Sequence, residues 1–363
     1  MKKTILSSLA LAAFCMCSFA QTPKNAEYVY TEASELNLIG KILDTPNPYH
    51  RVDTCIFKGF TKGENEQVRS SAGIAVLFRT DSPSISISSE YGYKNYGLST
   101  MPFALRGYDL YIKKDGKWLW AADAVRPVGR EDGELVLIKD MDDSMKECML
   151  YLPMYSEMYS VKVGVEKGKI LESIESPFRH RVAIFGSSYT QGISTSRSGM
   201  SYPMQFTRNT GIQLLSLGCS GNSKLQPYFA DVLIAADVDA IVIDAFSNPE
   251  ANMIEERLFP FIERIRAKKP DTPLIFMQTI YRENRNFNKG SDKKESAKQE
   301  TAARLMKEAV KKYNDVYFIQ TNATAPDHEA SVDGIHPTDY GYGLWAKSIE
   351  KPLLKILRKY GLK

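Results

Sequence analysis

An aspartate stands three residues before a histidine in Asp333-Gly334-Ile335-His336-Pro337, in a chain with four histidines. One tight loop can therefore carry a general base and the carboxylate that orients it. Such a base needs a nucleophile. A candidate lies far upstream in Gly186-Ser187-Ser188-Tyr189-Thr190-Gln191-Gly192, directly after the apolar run Val182-Ala183-Ile184-Phe185. A serine hydroxyl attacks well only when a base takes its proton, a third group holds the base, and donors await the developing oxyanion. Ser188 is placed at the expected start of a helix, where free N–H groups favour negative charge. Two other stretches offer further donors. Ser216-Leu217-Gly218-Cys219-Ser220-Gly221-Asn222 contains Gly221, where the lack of a side chain lets the backbone approach a reacting carbonyl, and Asp244-Ala245-Phe246-Ser247-Asn248-Pro249 brings the Asn248 amide. The predicted roles are Ser188 as nucleophile, His336 as base and Asp333 as its orienter. The Ser188 N–H, the Gly221 N–H and the Asn248 amide form the predicted oxyanion hole.

Each of these residues needs an element to hold it. After Ser176-Pro177 strands alternate with helices, which predicts a parallel sheet covered on both faces. Strands are expected at 182–185, 213–217, 240–245, 274–279 and 316–320, and helices near 203–210, 224–236, 252–268, 293–313 and 340–357. In such a sheet ligands bind beyond the carboxyl ends of the strands, and every candidate falls at one of those ends. The polar tract 281–294 follows the fourth strand; it is either a solvated loop or a rim that presents Arg282 and Asn284 to substrate. Upstream, the runs 74–78, 84–88, 109–112, 134–138 and 160–165 read as short strands separated by turns such as Asp115-Gly116, and they predict a β-sandwich.

Ser188, Gly221, Asn248, and Asp333 with His336 stand in the order of four blocks that give the SGNH, or GDSL, hydrolases their name, and the chain resembles that family. The resemblance implies a flavodoxin-like sheet and ester hydrolysis through an acyl-serine, with no metal or organic cofactor. Ser187 stands where the family commonly has aspartate, and Phe246 where its third block usually has glycine. Phe246 is therefore expected to reshape the acyl pocket, which adds it to Arg282 and Asn284 as a candidate rim residue. Arg106-Gly107-Tyr108-Asp109-Leu110-Tyr111 resembles the GxDLY signature of an N-terminal β-domain attached to one bacterial branch of these enzymes, and the Gly186-Ser187-Ser188 block is similar to that branch. By family analogy the favoured substrate is a small acyl ester, acetyl foremost, on a carbohydrate. The alternatives are a lipid or lysophospholipid esterase and a non-catalytic glycan-binding protein.

The first residues, Met1-Lys2-Lys3 and an apolar stretch ending at Ser18-Phe19-Ala20, predict a signal peptide over 1–20, a β-sandwich domain over 21–176 and a hydrolase domain over 177–363. The mature protein is expected to be exported, periplasmic or extracellular, without stable membrane insertion. The formal charge is +4, of which Lys2 and Lys3 supply two, and mixed charges elsewhere imply no nucleic-acid partner. Cys55, Cys148 and Cys219 allow at most one disulfide and read first as buried thiols. His50 is expected at the surface, His180 in a structural hydrogen bond at the domain junction, and His328 near the site without a suitably spaced Asp. Tyr91, Tyr93, Tyr96, Trp118 and Trp120 either pack the sandwich or form a sugar-stacking platform, with Tyr91-Gly92-Tyr93 the part expected to be exposed.

Overall fold

The computed structural model describes residues 26–362; the expected signal peptide lies outside them. The first half folds into ten strands: β1 (Tyr28–Glu32), β2 (Asn37–Ile39), β3 (Ala75–Thr80), β4 (Ile85–Tyr91), β5 (Tyr108–Lys114), β6 (Lys117–Ala124), β7 (Gly133–Ile138), β8 (Lys146–Tyr151), β9 (Met158–Glu166) and β10 (Leu171–Ser173). They form two antiparallel sheets, one ordered β1-β9-β4-β7, the other β10-β3-β8-β5-β6 with β2 sharing an edge of β3. Inward residues of both sheets, among them Val76, Phe78, Ile85, Ile87, Leu110, Leu150, Val161 and Val163, form the sandwich core. Strand β3 is apolar on both faces for a reason. Val76 and Phe78 point into the sandwich, while Ala75 and Leu77 pack outward with Met204 of the second half.

The second half is a five-stranded parallel sheet of β11 (Arg179–Gly186), β12 (Ile212–Gly218), β13 (Ala240–Asp244), β14 (Leu274–Met277) and β15 (Val316–Ile319). Its order is β12-β11-β13-β14-β15, the flavodoxin-like arrangement, whose switch point lies beside the first strand. Val182-Ala183-Ile184-Phe185 at its centre is wholly buried because apolar layers cover both faces. No helix among the described residues is long and apolar enough to cross a membrane.

The two halves interlock. Between β2 and β3 the chain makes a helix, α1 (Lys62–Val68), begun by a capping box of Thr61 and Glu64. From this excursion Ile42, Val52 and Val68 enter the core under the parallel sheet, beside Leu215, Leu217 and Phe229. At a second contact Asp109, fully buried on β5, accepts from the Gly199 N–H at 2.8 Å and from Arg197 Nη1 at 3.2 Å, and the same Arg197 nitrogen donates to the Tyr111 hydroxyl at 2.6 Å. The Asp and Tyr of the Gly107-to-Tyr111 motif thus act as a latch onto the hydrolase half.

Candidate active site

Parallel pairing sets Gly186, Gly218 and Asp244 abreast at the carboxyl ends of β11, β12 and β13. The chain then turns sharply at each. A Cβ on Gly186 would lie 1.9 Å from Thr190 Oγ1, so only glycine lets the next helix, α3 (Ser188–Gln191), fold back over its own strand. Ser187 caps that helix by accepting from the Tyr189 N–H at 3.3 Å, and Gly192 ends it at φ 106°. Ser188 is its first residue. Its N–H has no hydrogen-bond partner among the described residues, and the residue is 6% exposed, a recessed but reachable nucleophile.

The base comes from the loop before α8 (Asp339–Leu357). Ser331 bridges Pro337 and the Val332 N–H donates to the His336 carbonyl at 2.8 Å, which closes the loop into a narrow hairpin with Gly334 at φ 78°. Asp333 Oδ1 accepts from the Ile335 and His336 N–H groups at 2.9 and 2.7 Å, and its Oδ2 lies 2.8 Å from His336 Nδ1. That contact takes the proton on Nδ1 and leaves the Nε2 lone pair facing Ser188 Oγ, 3.2 Å away. Burial opposes ionisation of Asp333, but the bonds from His336 and from the two backbone N–H groups outweigh it and hold the carboxyl below its ordinary range.

Donors follow the neighbouring strands. Gly221, exposed at φ 72°, has an N–H without a protein partner among the described residues. Asn248 Oδ1 accepts from the Ser223 N–H at 3.2 Å, which fixes the amide and leaves its NH2 free to donate. The geometry thus joins Ser188, His336 and Asp333 in one chain of contacts, while Gly221 and Asn248 follow the neighbouring strands β12 and β13 with donors to spare.

The expected rim is different. Phe246 is fully buried, stacked on Phe276 at 5.9 Å in the core, so it shapes no pocket. Arg282 is mostly covered, and its guanidinium donates to the Tyr189 hydroxyl at 3.0 Å, to Glu295 at 2.9 Å and to the Ser247 carbonyl at 2.8 Å. Three of its five N–H groups are thus engaged within the protein, and its side chain is 14% exposed. Asn284 donates its N–H to the Gly334 carbonyl at 2.8 Å and backs the catalytic loop. The tract that carries both is a packed connection, with Arg285 buried against Asp292, Ser296 and Gln299.

Other expectations also change. His50 is half-buried and pairs with Glu157 at 3.0 Å; His328 is exposed and pairs with Glu283 at 2.6 Å, a carboxylate distant in sequence. His180 stands 3.7 Å from Asp239. Tyr91 is buried with its hydroxyl on the Arg106 carbonyl, whereas Trp120 is 52% exposed. The three cysteines among the described residues are free, Cys148 and Cys219 buried with thiols pushed up to about 12, and Cys55 exposed.

Sequence reasoning passed over three groups. Tyr189 packs edge-on against the His336 ring at 5.6 Å and donates its hydroxyl to the Ile335 carbonyl at 3.0 Å. Gln191 Oε1 accepts from the Ser220 N–H and hydroxyl, both at 3.0 Å. Asp244, fully buried behind α3, accepts from Thr190 at 2.8 Å and Tyr202 at 2.9 Å, and burial pushes its carboxyl up to about 7. Tyr189 and Gln191 lie within the nucleophile's own helical turn, where their position was visible but not their partners.

Both halves of the chain are similar to known proteins. Residues 179–354 match the model of the GDSL-like lipase/acylhydrolase family, and residues 27–171 match that of the GxDLY N-terminus of SGNH-hydrolase-type esterases. Among solved structures, a protein described as a GDSL-like lipase from Bacteroides ovatus is 36% identical, over 92% of this chain and 98% of its own, with a TM-score of 0.88. The salicylyl-acyltransferase SsfX3 of a tetracycline pathway is similar in fold, at 20% identity over 91% of this chain and 98% of its own and a TM-score of 0.69. So is a family two carbohydrate esterase from Cellvibrio japonicus, at 10% identity, 92% and 99% coverage and a TM-score of 0.60. No curated protein matches the chain.

Proposed function

The chain belongs to the GDSL-like lipase/acylhydrolase family and is a carboxylic ester hydrolase; within that class, we propose that it removes small acyl groups, acetyl foremost, from carbohydrate esters through an acyl-Ser188 intermediate. The observation that carries the mechanism is the unbroken contact from Asp333 through His336 to Ser188 Oγ, and the Ser188 and Gly221 N–H groups have no partner among the described residues. His336 Nε2 takes the Ser188 proton as Oγ attacks the ester carbonyl. The carbonyl oxygen gathers negative charge against the Ser188 and Gly221 N–H groups and the Asn248 amide. His336 then protonates the leaving alcohol, and a water activated by the same imidazole releases the acid and restores the serine. Asp333, ionised to lower pH than an ordinary carboxyl, keeps the imidazole in the required tautomer.

The choice of a small acyl group is supported by the polar residues Ser220, Asn222 and Asn248 that follow β12 and β13, and by Phe246, which is withdrawn into the core. Carbohydrate as the carrier is supported by the fold shared with family two carbohydrate esterases. Export, proposed from residues 1–20, agrees with a substrate outside the cell.

A lipid ester is the second reading. It is favoured by Phe287, fully exposed on the loop that carries Asn284, and by Val332, half-exposed beside Asp333. Aryl esters from acetate to decanoate separate the two. Turnover that falls with chain length, and that is lost in Ser188→Ala, supports deacetylation; turnover that rises with chain length overturns it.

A further inference from the structure

Arg51 comes from the β half of the chain, yet it lies under the oxyanion turn and is fully buried. Its backbone N–H is tied to the Val68 carbonyl at the end of α1 at 3.2 Å. Each of the five guanidinium N–H groups has an acceptor. Nε donates to the Ser70 carbonyl at 2.9 Å; Nη1 to the carbonyls of Ser216 at 3.1 Å and Gly218 at 2.9 Å; Nη2 to the Gln67 carbonyl at 2.5 Å and Ser70 Oγ at 3.1 Å.

Two features of this arrangement matter. First, β12 is an edge strand paired only with β11, so its outer carbonyls need a cover. Nη1 alone covers Ser216 and Gly218, two residues apart, while Nε and Nη2 in the same plane hold Ser70 and Gln67, a division that the single nitrogen of a lysine could not make. Second, all five acceptors are neutral oxygens, and no carboxylate pairs with Arg51 among the described residues. A buried cation is ordinarily paired because desolvation is costly. Here the guanidinium sits, without a counter-charge, on the carbonyl of Gly218, three residues before Gly221.

Neighbours from the same half hold the rest of the turn. The Gln67 side chain donates to the Ser220 carbonyl at 3.0 Å, and the Tyr155 hydroxyl, buried, meets Ser220 Oγ at 2.7 Å. From the nucleophile's helix Gln191 holds Ser220 as well, and its amide reaches back to the Met154 carbonyl at 3.3 Å. A Cβ on Gly218 would lie 2.2 Å from the Gln191 N, so the turn is pressed against the helix that carries Ser188.

We propose that Arg51 and Tyr155 are positioning residues of the oxyanion hole, supplied by the β domain, which fix the 218–221 turn against the nucleophile helix and place an unpaired positive charge beneath the site where the oxyanion forms. The β domain is then part of the catalytic apparatus. This rests on Ser188 chemistry as described above and deepens it.

The test uses the full chain, an aryl acetate, and the variants Tyr155→Phe, Arg51→Lys and Ser188→Ala, with kcat, KM and melting temperature measured for each. Tyr155→Phe keeps the ring and loses one hydrogen bond; it is expected to lower kcat about 3- to 10-fold with KM within about twofold. Arg51→Lys keeps the charge and loses the fork, and is expected to lower kcat by about 10- to 100-fold, approaching the loss of one oxyanion donor. Arg51→Met, without charge or fork, is expected to fall below Arg51→Lys. A folded Tyr155→Phe with wild-type kcat overturns the proposal even if no Arg51 variant folds, and so does a rise in KM at unchanged kcat. Retention of turnover in Ser188→Ala instead overturns the nucleophile assignment itself, so the two failures are distinguishable.

Discussion

The loop of Asp333 and His336 and the 218–221 turn are held in opposite ways. The Asp333 and His336 loop is fastened mostly by itself: its own backbone hairpin, its own carboxylate on two of its own N–H groups, and a few external ties at Gly334 and Ile335. Its side chains reach solvent, His336 being 21% and Asp333 38% exposed. The 218–221 turn makes few bonds of its own. Arg51, Gln67, Tyr155 and Gln191 hold it, and three of those four come from the β half. A base that must change protonation state needs access to water, whereas an oxyanion hole works by not reorganising as charge develops. The difference in fastening follows that difference in task.

The widest gap between variants is expected at the self-fastened loop and the serine it serves. Ser188→Ala or His336→Ala should lower kcat by about 10⁴- to 10⁶-fold on an aryl acetate, measured by initial rates with a folded-state check by circular dichroism. A loss below 100-fold in both would show that the two loops do not converge on this serine. Asn248→Ala should cost about 10² to 10³ in kcat with KM nearly unchanged, because its amide donates only once charge has moved to the oxygen. Equal losses in kcat and in substrate affinity would place Asn248 in ground-state binding.

Much of the first loop was legible because its logic is local. Asp-Gly at the tip, a carboxylate reaching two N–H groups within three residues, and His-Pro at the exit form one short stretch of sequence. The parallel sheet was legible for a similar reason: continuous apolar runs such as Val182-Ala183-Ile184-Phe185 mark strands buried on both faces. Strands β6 and β8 escaped. Lys146-Glu147-Cys148-Met149-Leu150-Tyr151 is buried along most of its length, so it lacks the alternation that marks a half-exposed strand. Helix α1 was marked only by Thr61 and Glu64, a capping box within a region otherwise read as strands. Arg51 could not be found at all from its neighbours. Its acceptors at Ser216 and Gly218 lie more than 160 residues away, and nothing in a Pro-rich loop reports them. Phe246 turns into the core and Arg282 onto Tyr189, Glu295 and Ser247, because nearness to a strand end in sequence says nothing about which way a side chain turns.

A third contrast is between the two aspartates at the sheet's carboxyl edge. Asp333 is held below its ordinary range, and Asp244 is pushed up to about 7 by burial, with only Thr190 and Tyr202 to oppose it. A carboxyl whose pKa is higher in the folded state than in the unfolded one stabilises the fold at pH below the unfolded value and loses that contribution as pH rises through the folded value. For Asp244 the window runs from 3.8 to about 7. Between pH 5 and 8 wild type should therefore lose about 2–3 kcal/mol relative to Asp244→Asn, read as a difference in melting temperature that widens with pH. A difference that stays constant across that range would show that Asp244 is ionised throughout.

The smallest effect is the most discriminating about the two loops. Tyr189→Phe keeps the ring against His336 and Trp345 but removes the hydroxyl that donates to the Ile335 carbonyl and accepts from Arg282 Nε. Of the two hydrogen bonds lost, only the one to Ile335 holds the loop, which largely fastens itself, so the cost there should be about 1 kcal/mol, or about fivefold in kcat. Tyr155→Phe makes the corresponding cut at the opposing turn. The two hydroxyls share no bonding partner, so the double variant should show the sum of the two free-energy losses to within about 0.5 kcal/mol. Both, however, reach α3: Tyr189 belongs to it, and the Ser220 that Tyr155 holds is also held by Gln191. Losses that exceed the sum would mean that the nucleophile's single helical turn transmits a displacement from one loop to the other, so that the base and the oxyanion hole are aligned as one unit.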